Sequence, residues 1–553
     1  MRMPRQAGFR FPAARQIWLV ASLLVILAVV TAVRIRLLNM PLERDEGEYA
    51  YAGQRMLQGV PPYQDVYSMK WPGTFAAYAL FMGIFGQTAG GIHTGLILVN
   101  LATAVLVLVL AKRVCGDIAG VVAAATYALL SISTSTLGLA AHANHFVVLF
   151  ALGGILLIQK FDERTSPARF VAAGLLLGLA ALMKQSGAVF GLFAALWIVR
   201  QEAVPAGKDS RRLATRLACL ALGGLLPLLL TGAMLARAGV FGRFWFWTIE
   251  YAHVYSAIFT PVKGMQALFS KIANLFQAAP GLWSAAALGL VLLFYERSLR
   301  STRFFVLGFA VFSFFAVCLG WYFRQHYFLL LLPATGVLAG MAVEAASRLL
   351  ARLQLPFSPA TFPLLLFAAA VVWPLVGERA IFFRLAPNEA SRAIYGANPF
   401  SESVEIGRYL KSHCPPGAPI AVIGSEPELY FYSHRRSATG YIYTYPLMEP
   451  QPYAAEMQKE MIREIEKADP DYVVFVHVGT SWLQFSDSNP LIFDWFGKYQ
   501  REQLRLVGLV EIQPGGQTQY QWFDQSETNV QTSAESWLAI FKRRADNAKS
   551  ERN

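Results

Sequence analysis

The sequence predicts a polytopic α-helical membrane protein with a C-terminal soluble α/β domain. Hydrophobic residues make up 55% of the 553 residues, and many stretches of 15–24 residues carry no charge. A helix that spans a bilayer needs about 20 such residues. The charge also divides the chain, because residues 1–377 hold 30 Lys and Arg against 13 Asp and Glu, whereas residues 378–553 hold 18 against 22. We therefore predict a transmembrane domain over 1–377 and a soluble domain over 378–553.

Uninterrupted apolar segments predict about eleven transmembrane helices. The first segment, Ile17–Leu38, has no obvious small-residue cleavage site after it, so we interpret it as a retained anchor. The other ten helices are predicted at residues 92–111, 118–134, 146–159, 170–183, 186–199, 213–236, 281–295, 304–320, 327–345 and 361–377.

The distribution of Lys and Arg orients these helices, since cytoplasmic loops are enriched in both residues. With a cytoplasmic N-terminus, the inner connections hold 19 Lys and Arg and the outer connections of the membrane half hold 11. The outer loop 39–91 then contains the apolar stretch Thr74–Phe85, which at 12 residues is too short to cross and is predicted to be a juxtamembrane helix. The domain 378–553 is predicted to be extracytoplasmic, and the net charge of +13 does not require nucleic acid as a partner.

Strand and helix patterns alternate in the C-terminal domain. Pro419–Ile423 and Asp471–Val476 are predicted strands, and Glu456–Ala468 is a predicted amphipathic helix. This alternation favours a small α/β domain, and no residues in it show a catalytic spacing. The four cysteines are far apart in the sequence, and they indicate neither a disulfide framework nor a zinc site.

An acidic cluster follows the first apolar segment and reads Arg44-Asp-Glu-Gly-Glu-Tyr-Ala-Tyr51. Carboxylates at a membrane exit are costly unless they serve a function. The structural alternative is that Asp45 caps a helix that runs to Leu57, with Glu46 and Glu48 as solvated acids of its first turn. The position at the membrane exit favours the functional interpretation, and Tyr49 suits the membrane interface.

The predicted topology brings further polar groups to the same outer side. They are Lys70 before Pro72, His142-Ala-Asn-His145 at the mouth of one span, Glu250 in the loop 237–280, and Arg324-Gln-His-Tyr327 at the mouth of another span. His142 and His145 either bind a metal ion or form hydrogen bonds at the interface. Arg324, His326 and Tyr327 either contact substrate or anchor the protein at the interface.

Several of these motifs resemble those of a known family. Arg44-Asp-Glu-Gly-Glu-Tyr-Ala-Tyr51, Gly59-Val-Pro-Pro-Tyr-Gln-Asp65 and Met69-Lys-Trp-Pro-Gly73 are similar to the first outer loop of polyprenyl-phosphate-sugar-dependent glycosyltransferases of the GT-C fold. The nearest groups are the bacterial aminoarabinose-transferase-like, protein-mannosyltransferase-like and galacturonosyltransferase-like enzymes. The resemblance covers about residues 17–345, and Gly424–Tyr430 also resembles the periplasmic domain of such enzymes.

The resemblance implies roles for individual residues. Asp45, with Glu46 beside it, matches the acid that acts as or positions the catalytic base, and Lys70 matches the lysine that contacts the lipid phosphate. The segment Phe241–Trp247 resembles an aromatic loop before a Glu/His pair, which here would be Glu250 and His253 with Tyr251 between them. Glu48, Tyr49, His142, Asn144, His145, His326 and Tyr327 are the remaining candidates for substrate binding or support.

Two departures from the family pattern concern the acids. Asn144 stands where a second acid is usual, and Met69 stands where the aminoarabinose enzymes carry Glu before the lysine. A divalent metal ion therefore stays open as a cofactor, with Glu46, His142, His145, Glu250 and His253 as candidate ligands. Glu250 is the candidate to supply the missing charge.

The resemblance predicts a membrane glycosyltransferase that moves a sugar from a polyprenyl-phosphate donor to a hydroxyl outside the cytoplasm, with inversion at the anomeric carbon. Asp45 would act as the base, and Lys70 and Arg324 would bind the donor phosphate. The acceptor would be a lipid, glycan or protein of the cell envelope, in lipopolysaccharide or cell-envelope glycan synthesis at the bacterial inner membrane. The alternative is a transporter or flippase of lipid-linked sugars, which should carry ionisable groups near the middle of its spans.

Overall fold

The computed structural model describes residues 13–203, 209–354, 356, 358–523 and 532–544. The helices of the first part of the chain are α1 (Ala13–Arg36), α2 (Arg44–Leu57), α3 (Pro72–Phe85), α4 (Ala89–Cys115), α5 (Asp117–Leu130), α6 (Ala143–Ile158), α7 (Pro167–Met183), α8 (Ala188–Ala203), α9 (Ser210–Arg237), α10 (Phe241–Trp245), α11 (Ala252–Ile258), α12 (Pro261–Ala278), α13 (Pro280–Tyr295), α14 (Arg303–Cys318), α15 (Leu332–Ala351) and α16 (Thr361–Gly377). A π-helix, Phe246–Tyr251, joins α10 to α11, and a 3₁₀ helix, Gln325–Leu330, precedes α15.

The C-terminal part adds short helices and six strands. The helices are α17 (Arg379–Phe383), α18 (Pro387–Tyr395), α19 (Phe400–His413), α20 (Glu428–Ser433), α21 (Tyr445–Met448), α22 (Ala454–Ala468), α23 (Gly479–Trp482) and α24 (Leu491–Gln503). The strands are β1 (Pro419–Ile423), β2 (Arg436–Ser437), β3 (Tyr472–His477), β4 (Leu504–Ile512), β5 (Thr518–Trp522) and β6 (Ser536–Arg543).

The described residues form two compact units. The first, which we call the bundle unit, comprises residues 13–37, 93–232 and 259–384 with their undescribed gaps. The second, the sheet unit, comprises residues 38–92, 233–258 and the described part of 385–544. The sheet unit thus joins the predicted outer loop 39–91 and the segment before α12 to the C-terminal domain, whereas the sequence alone placed a boundary at residue 377.

The bundle unit is almost entirely helical and apolar. Among the described residues, four helices are long and apolar enough to cross a membrane: Ile17–Arg36 of α1, α4, α9 and α15. The pair α12 and α13 is bent by 112° and counts as a fifth if it is taken as one span. Shorter apolar helices, α5, α6, α7, α14 and α16, accompany them in this unit. Many apolar side chains of α9 and α16 are exposed, as on a surface that lipid covers.

Close helix packing in the bundle unit depends on small residues, as is common between membrane helices. At Gly340 of α15, a Cβ atom would lie 2.3 Å from the carbonyl oxygen of Ala119 on α5, so a larger residue would push the two helices apart. The guanidinium of Arg34, buried at the end of α1, donates to the carbonyl oxygens of Ser131 at 2.8 Å and Gly138 at 3.1 Å. These bonds tie α1 to the loop between α5 and α6.

The sheet unit contains one six-stranded sheet in the order β2-β1-β3-β6-β4-β5. Strand β1 pairs in parallel with β2 and β3, while β6 pairs antiparallel with β3 and β4, and β4 pairs antiparallel with β5. The predicted strand Pro419–Ile423 is confirmed at both ends, and the predicted strand and helix at 471–476 and 456–468 correspond to β3 and α22. The small α/β domain of the sequence analysis is therefore present.

The structure changes one local expectation. The segment 237–280, predicted as a loop, is mostly helical, because α10, the π-helix, α11 and α12 occupy it. Helix α12 is amphipathic rather than uniformly apolar, with Val262 and Phe269 exposed and Leu268 buried, which is why a search for uninterrupted apolar runs passes over it. The apolar stretch 74–85 is helical, as predicted, and α3 belongs to the sheet unit.

Candidate functional site

The acidic cluster lies at the start of α2, and Glu43 caps this helix. The side chain of Glu43 accepts a hydrogen bond from the backbone N–H of Glu46, and the Glu46 side chain accepts one from the backbone N–H of Glu43. Such a reciprocal capping box satisfies two N–H groups that a helix start leaves unpaired. The expectation that Asp45 caps the helix is therefore wrong, and the Asp45 carboxylate is available for another partner. Helix α2 ends before Gly59, whose φ of +82° suits glycine.

The partner of Asp45 is Lys70, which lies just before α3. The Lys70 ammonium forms an ion pair with Asp45 Oδ1 and a second one, at 2.7 Å, with Glu48 Oε2. We call Asp45, Glu48 and Lys70 the acid–lysine cluster. The Lys70 and Asp45 side chains retain 25% and 15% of their exposure, whereas Glu48 retains 2%. The cluster therefore presents Asp45 and Lys70 at its accessible side and Glu48 at its buried side.

Burial and charge act against each other in this cluster. Burial lowers the pKa of Lys70, but the charges of Asp45 and Glu48 more than offset it, so the pKa of Lys70 lies well above its usual value. Burial raises the pKa of Glu48, and the Lys70 charge opposes that rise only in part. The two effects keep Lys70 positively charged and leave Glu48 a weaker acid than usual.

Aromatic rings enclose the Lys70 ammonium. Its Nζ lies 4.7 Å from the ring centroid of Tyr49 and 5.2 Å from that of Tyr443, within the range of cation–π attraction. The Tyr443 hydroxyl donates to Asp45 Oδ1 at 3.4 Å. Tyr443 belongs to the C-terminal part of the chain, so the acid–lysine cluster and the rings around it come from three separate segments of the sequence.

Buried contacts hold α2 in place. A Cβ atom at Gly47 would lie 2.7 Å from the backbone nitrogen of Glu428, so only glycine permits the close approach of α2 to α20. Arg44, next to Asp45, donates to Glu426 Oε1 at 2.8 Å and to the Tyr445 hydroxyl at 3.0 Å. These contacts fix the first turn of α2 and therefore the direction of the Asp45 side chain.

The predicted candidate Glu46 lies in the same turn but is fully buried. One of its oxygens accepts the backbone hydrogen bond of the capping box. The structure thus gives Glu46 a clear part in starting α2, and its assignment as a catalytic residue stays a prediction.

A second polar cluster lies in the bundle unit, at the start of α6 and around the 3₁₀ helix before α15. Asn144 donates from Nδ2 to the backbone carbonyl of His326 and accepts at Oδ1 from Lys184 Nζ at 3.0 Å. The Lys184 Nζ atom also lies 3.8 Å from the ring centroid of Tyr327. We call Asn144, Lys184, His326 and Tyr327 the asparagine–lysine cluster. An amide at position 144 satisfies both a carbonyl and an ammonium, which a carboxylate could not do without a proton.

His142 lies against this cluster. The His142 ring stacks on the His326 ring with centroids 4.1 Å apart, and one ring nitrogen of each lies within 4.8 Å of the other. The two nitrogens are close enough to share one metal ion if a ring turns out of the stack, because the lone pairs of nearly parallel rings do not converge. His145 is buried in the first turn of α6.

The remaining candidates are spread over both units. Tyr251 of the π-helix is buried and donates its hydroxyl hydrogen to Glu449, within the sheet unit. Glu250 and His253 flank it and are both exposed. Among the described residues, no hydrogen bond or ion pair joins Glu250 to the acid–lysine cluster. In the bundle unit, Arg324 precedes the 3₁₀ helix, and its guanidinium carbon lies 5.6 Å from the Tyr322 ring.

Sequence reasoning missed Lys184 and Tyr443. Lys184 is one cation between the apolar helices α7 and α8, and a solitary charge at such a junction was a usable signal. Tyr443 lies in the Tyr-rich stretch 441–445, which the sequence could assign either to packing or to acceptor contact. Its partner Asp45 is 398 positions away, and no local pattern reports a pair so distant.

Comparison with known proteins gives one family match. Residues 70–232, which begin at Lys70, match the model of the dolichyl-phosphate-mannose-protein mannosyltransferase family. A search of curated protein sequences returns no significant match.

Solved structures of similar fold extend over most of the chain. ArnT from Cupriavidus metallidurans bound to undecaprenyl phosphate has a TM-score of 0.56 at 14% identity, over 96% of this chain and 98% of ArnT. The apo form of the same ArnT has a TM-score of 0.53 at 17% identity, over 82% and 93%. The oligosaccharyltransferase AglB from Archaeoglobus fulgidus, in complex with an inhibitory peptide and a dolichol-phosphate, has a TM-score of 0.50 at 14% identity, over 93% and 75%.

These findings confirm the predicted GT-C fold and the resemblance to glycosyltransferases that use lipid-linked sugars. The enzyme class predicted from the sequence is confirmed with them, and nothing in the comparisons supports a flippase.

Proposed function

We propose that this chain, a glycosyltransferase of the GT-C fold, transfers a sugar from polyprenyl phosphate to a cell-envelope hydroxyl with Asp45 as the base. The observation that carries the proposal is the acid–lysine cluster, in which a partly exposed carboxylate is held by an ammonium and a tyrosine hydroxyl. The undecaprenyl phosphate bound in the neighbouring ArnT structure supports a polyprenyl-phosphate carrier.

The transfer breaks one bond and forms another. The acceptor oxygen attacks the anomeric carbon from the side opposite the phosphate, and Asp45 takes the acceptor proton. The bond between the anomeric carbon and the phosphate oxygen breaks, and its electron pair stays on that oxygen. Polyprenyl phosphate leaves, and the anomeric centre is inverted.

Cations would offset the charge that develops on the leaving phosphate. Lys70 already forms ion pairs with two carboxylates. Its main electrostatic effect would therefore be to reduce the negative charge that repels an anionic donor. Lys184 of the asparagine–lysine cluster and Arg324 are the candidates for direct phosphate binding, because hydrogen bonds between a cation and a phosphate are strong. We further propose that any divalent ion used in the reaction binds at the stacked pair His142 and His326.

The membrane placement belongs to the same proposal. Eleven spans with a cytoplasmic N-terminus would put Asp45, Lys70 and the C-terminal α/β domain on the periplasmic side of the bacterial inner membrane. The excess of Lys and Arg in the predicted inner connections supports this orientation. The acceptor would then be a lipid, glycan or protein of the envelope.

A turnover assay tests the proposal. The purified protein in nanodiscs is incubated with polyprenyl-phosphate sugars and envelope lipids, glycans or peptides, and polyprenyl phosphate and glycosylated product are measured by mass spectrometry. Equal amounts of both products are expected. Movement of the donor between leaflets of a vesicle, without either product, would overturn the transferase proposal.

A further inference from the structure

A large groove lies in the C-terminal part of the sheet unit. Its lining includes none of the residues of the acid–lysine cluster. Its volume is about 840 Å³, and α18, α19, the turn after β4 and strand β5 line it. Ligand pockets usually occupy about 300–1,000 Å³. The proposed transfer chemistry uses none of the residues in this groove.

One wall of the groove is aromatic. Tyr520 and Trp522 lie two positions apart on β5, so both side chains point to the same face of the sheet. They are 38% and 40% exposed, respectively. Trp522 is held by Tyr409 of α19, whose ring stacks on it at 3.9 Å with an interplanar angle of 11°. This stacking fixes the Trp522 ring and covers one of its faces, so the surface open to a ligand is formed by Tyr520 and the remaining part of Trp522.

Helix α19 supplies a buried hydrogen-bond acceptor next to β5. Glu402 of α19 is 1% exposed, and its Oε1 atom accepts from Arg392 and from the hydroxyl of Thr518. Its Oε2 atom is buried and has no hydrogen-bond partner among the described residues. A buried carboxylate oxygen without a hydrogen-bond partner is unfavourable, so a ligand donor is expected there.

We infer that this groove binds a segment of a neutral, hydroxyl-rich glycan. The C–H faces of sugar rings are apolar and pack against exposed aromatic rings, while their hydroxyl groups donate to carboxylates. An anionic glycan fits less well, because Arg392 and Arg408 are already paired with Glu402 and Glu405. The identification of this glycan as the acceptor rests on the proposed function, whereas glycan binding itself does not.

A binding measurement on the full chain tests the inference. The protein in nanodiscs is applied to an array of neutral and uronic-acid-containing oligosaccharides, and an unstructured peptide library is included because β5 is an edge strand. Binding to at least one neutral oligosaccharide is expected, weakened at least tenfold in Tyr520→Ala and in Trp522→Ala. Phe485→Ala is the matched control, since Phe485 is an exposed aromatic residue of the same unit that does not line the groove.

The outcomes separate the two proposals. If no neutral oligosaccharide binds, if only acidic ones or peptides bind, or if both groove variants bind as the control does, the glycan groove is overturned. Glycan binding without any sugar transfer would instead leave the groove in place and remove the proposed function.

Discussion

The ammonium of Lys70 lies 2.7 Å from Glu48 Oε2, at the buried side of a cluster whose accessible carboxylate is Asp45. Glu48 is nearly inaccessible, so it anchors Lys70 and is poorly placed to meet a substrate. The same ammonium also pairs with Asp45 and thereby stabilises a charged carboxylate at the accessible side. Two acids that are three positions apart in the sequence thus have different surroundings and different expected roles.

Replacement of Asp45 by Asn should reduce sugar transfer by about 10²–10⁴-fold, because general base catalysis contributes that much. The side chain keeps its shape and can still contact Tyr443, so the protein should fold. The measurement is the initial rate of product formation by purified protein.

Asp65→Asn is the matched control for this change. Asp65 is an acid of the same loop, but it pairs with Arg55 at 2.7 Å rather than with Lys70. Its variant should retain most activity. If Asp45→Asn and Asp65→Asn transfer sugar equally well, Asp45 is not the base.

Lys70→Met should destabilise the protein by about 1–3 kcal/mol, since it leaves the buried Glu48 carboxylate without its cation. The double variant Lys70→Met/Glu48→Gln should recover most of that stability, because the remaining amide carries no charge. Thermal unfolding in detergent measures both effects.

The double variant Lys70→Met/Glu48→Gln should recover stability without recovering activity. If Lys70 supports the reaction electrostatically, the double variant should be stable and still impaired at least tenfold in transfer. Full recovery of both stability and activity would limit Lys70 to a structural role.

Glu428, which packs against Gly47 of α2, should make stability depend on pH. Burial, reinforced by the neighbouring Glu426, raises the pKa of Glu428 to about 8. A raised pKa means that the folded protein binds a proton that the unfolded chain releases near pH 4.5, so this contribution is present below that pH and is lost as pH rises towards about 8. Wild type should therefore lose unfolding temperature between pH 5 and pH 8, and Glu428→Gln should lose less. Parallel pH curves for the two proteins would contradict the assignment.

Much of the fold could be predicted from the sequence because its signals are local. The apolar runs of the membrane half and the strand Pro419–Ile423 each lie within a few turns or one strand, and periodicity reports them directly. Helix α12 is not predicted from the sequence, because its apolar residues recur at helical spacing among polar ones and form no continuous apolar run.

The candidate site was predictable only in part. Asp45 and Lys70 lie in compact motifs that a single sequence displays, but the sequence predicts Asp45 as the capping residue, whereas Glu43 performs that function. Glu43 and Asp45 are both acids at a helix start, and only the geometry of the first turn distinguishes the capping residue from its neighbour. Contacts such as Arg44 with Glu426 join residues 382 positions apart, which a single sequence does not report.

The orientation in the membrane can be tested by cysteine labelling. In a variant without the four native cysteines, Lys263→Cys should react with an impermeant maleimide added outside cells, and Ser210→Cys should not. Both positions are exposed in the structure. The reverse labelling pattern would place the acid–lysine cluster and the asparagine–lysine cluster on the cytoplasmic side.

Lys184→Met should raise the KM for the lipid-linked donor by about 10–100-fold, because a charge-assisted hydrogen bond contributes about 1.5–3 kcal/mol. Asn144 and the Tyr327 ring hold the Lys184 ammonium, so the charge is already positioned before a phosphate arrives. A ground-state contact of this kind should change KM more than kcat. Lys263→Met removes one exposed positive charge from the predicted outer side and should leave KM unchanged. Equal KM values for the two variants would mean that the asparagine–lysine cluster only stabilises the start of α6 and does not bind the donor phosphate.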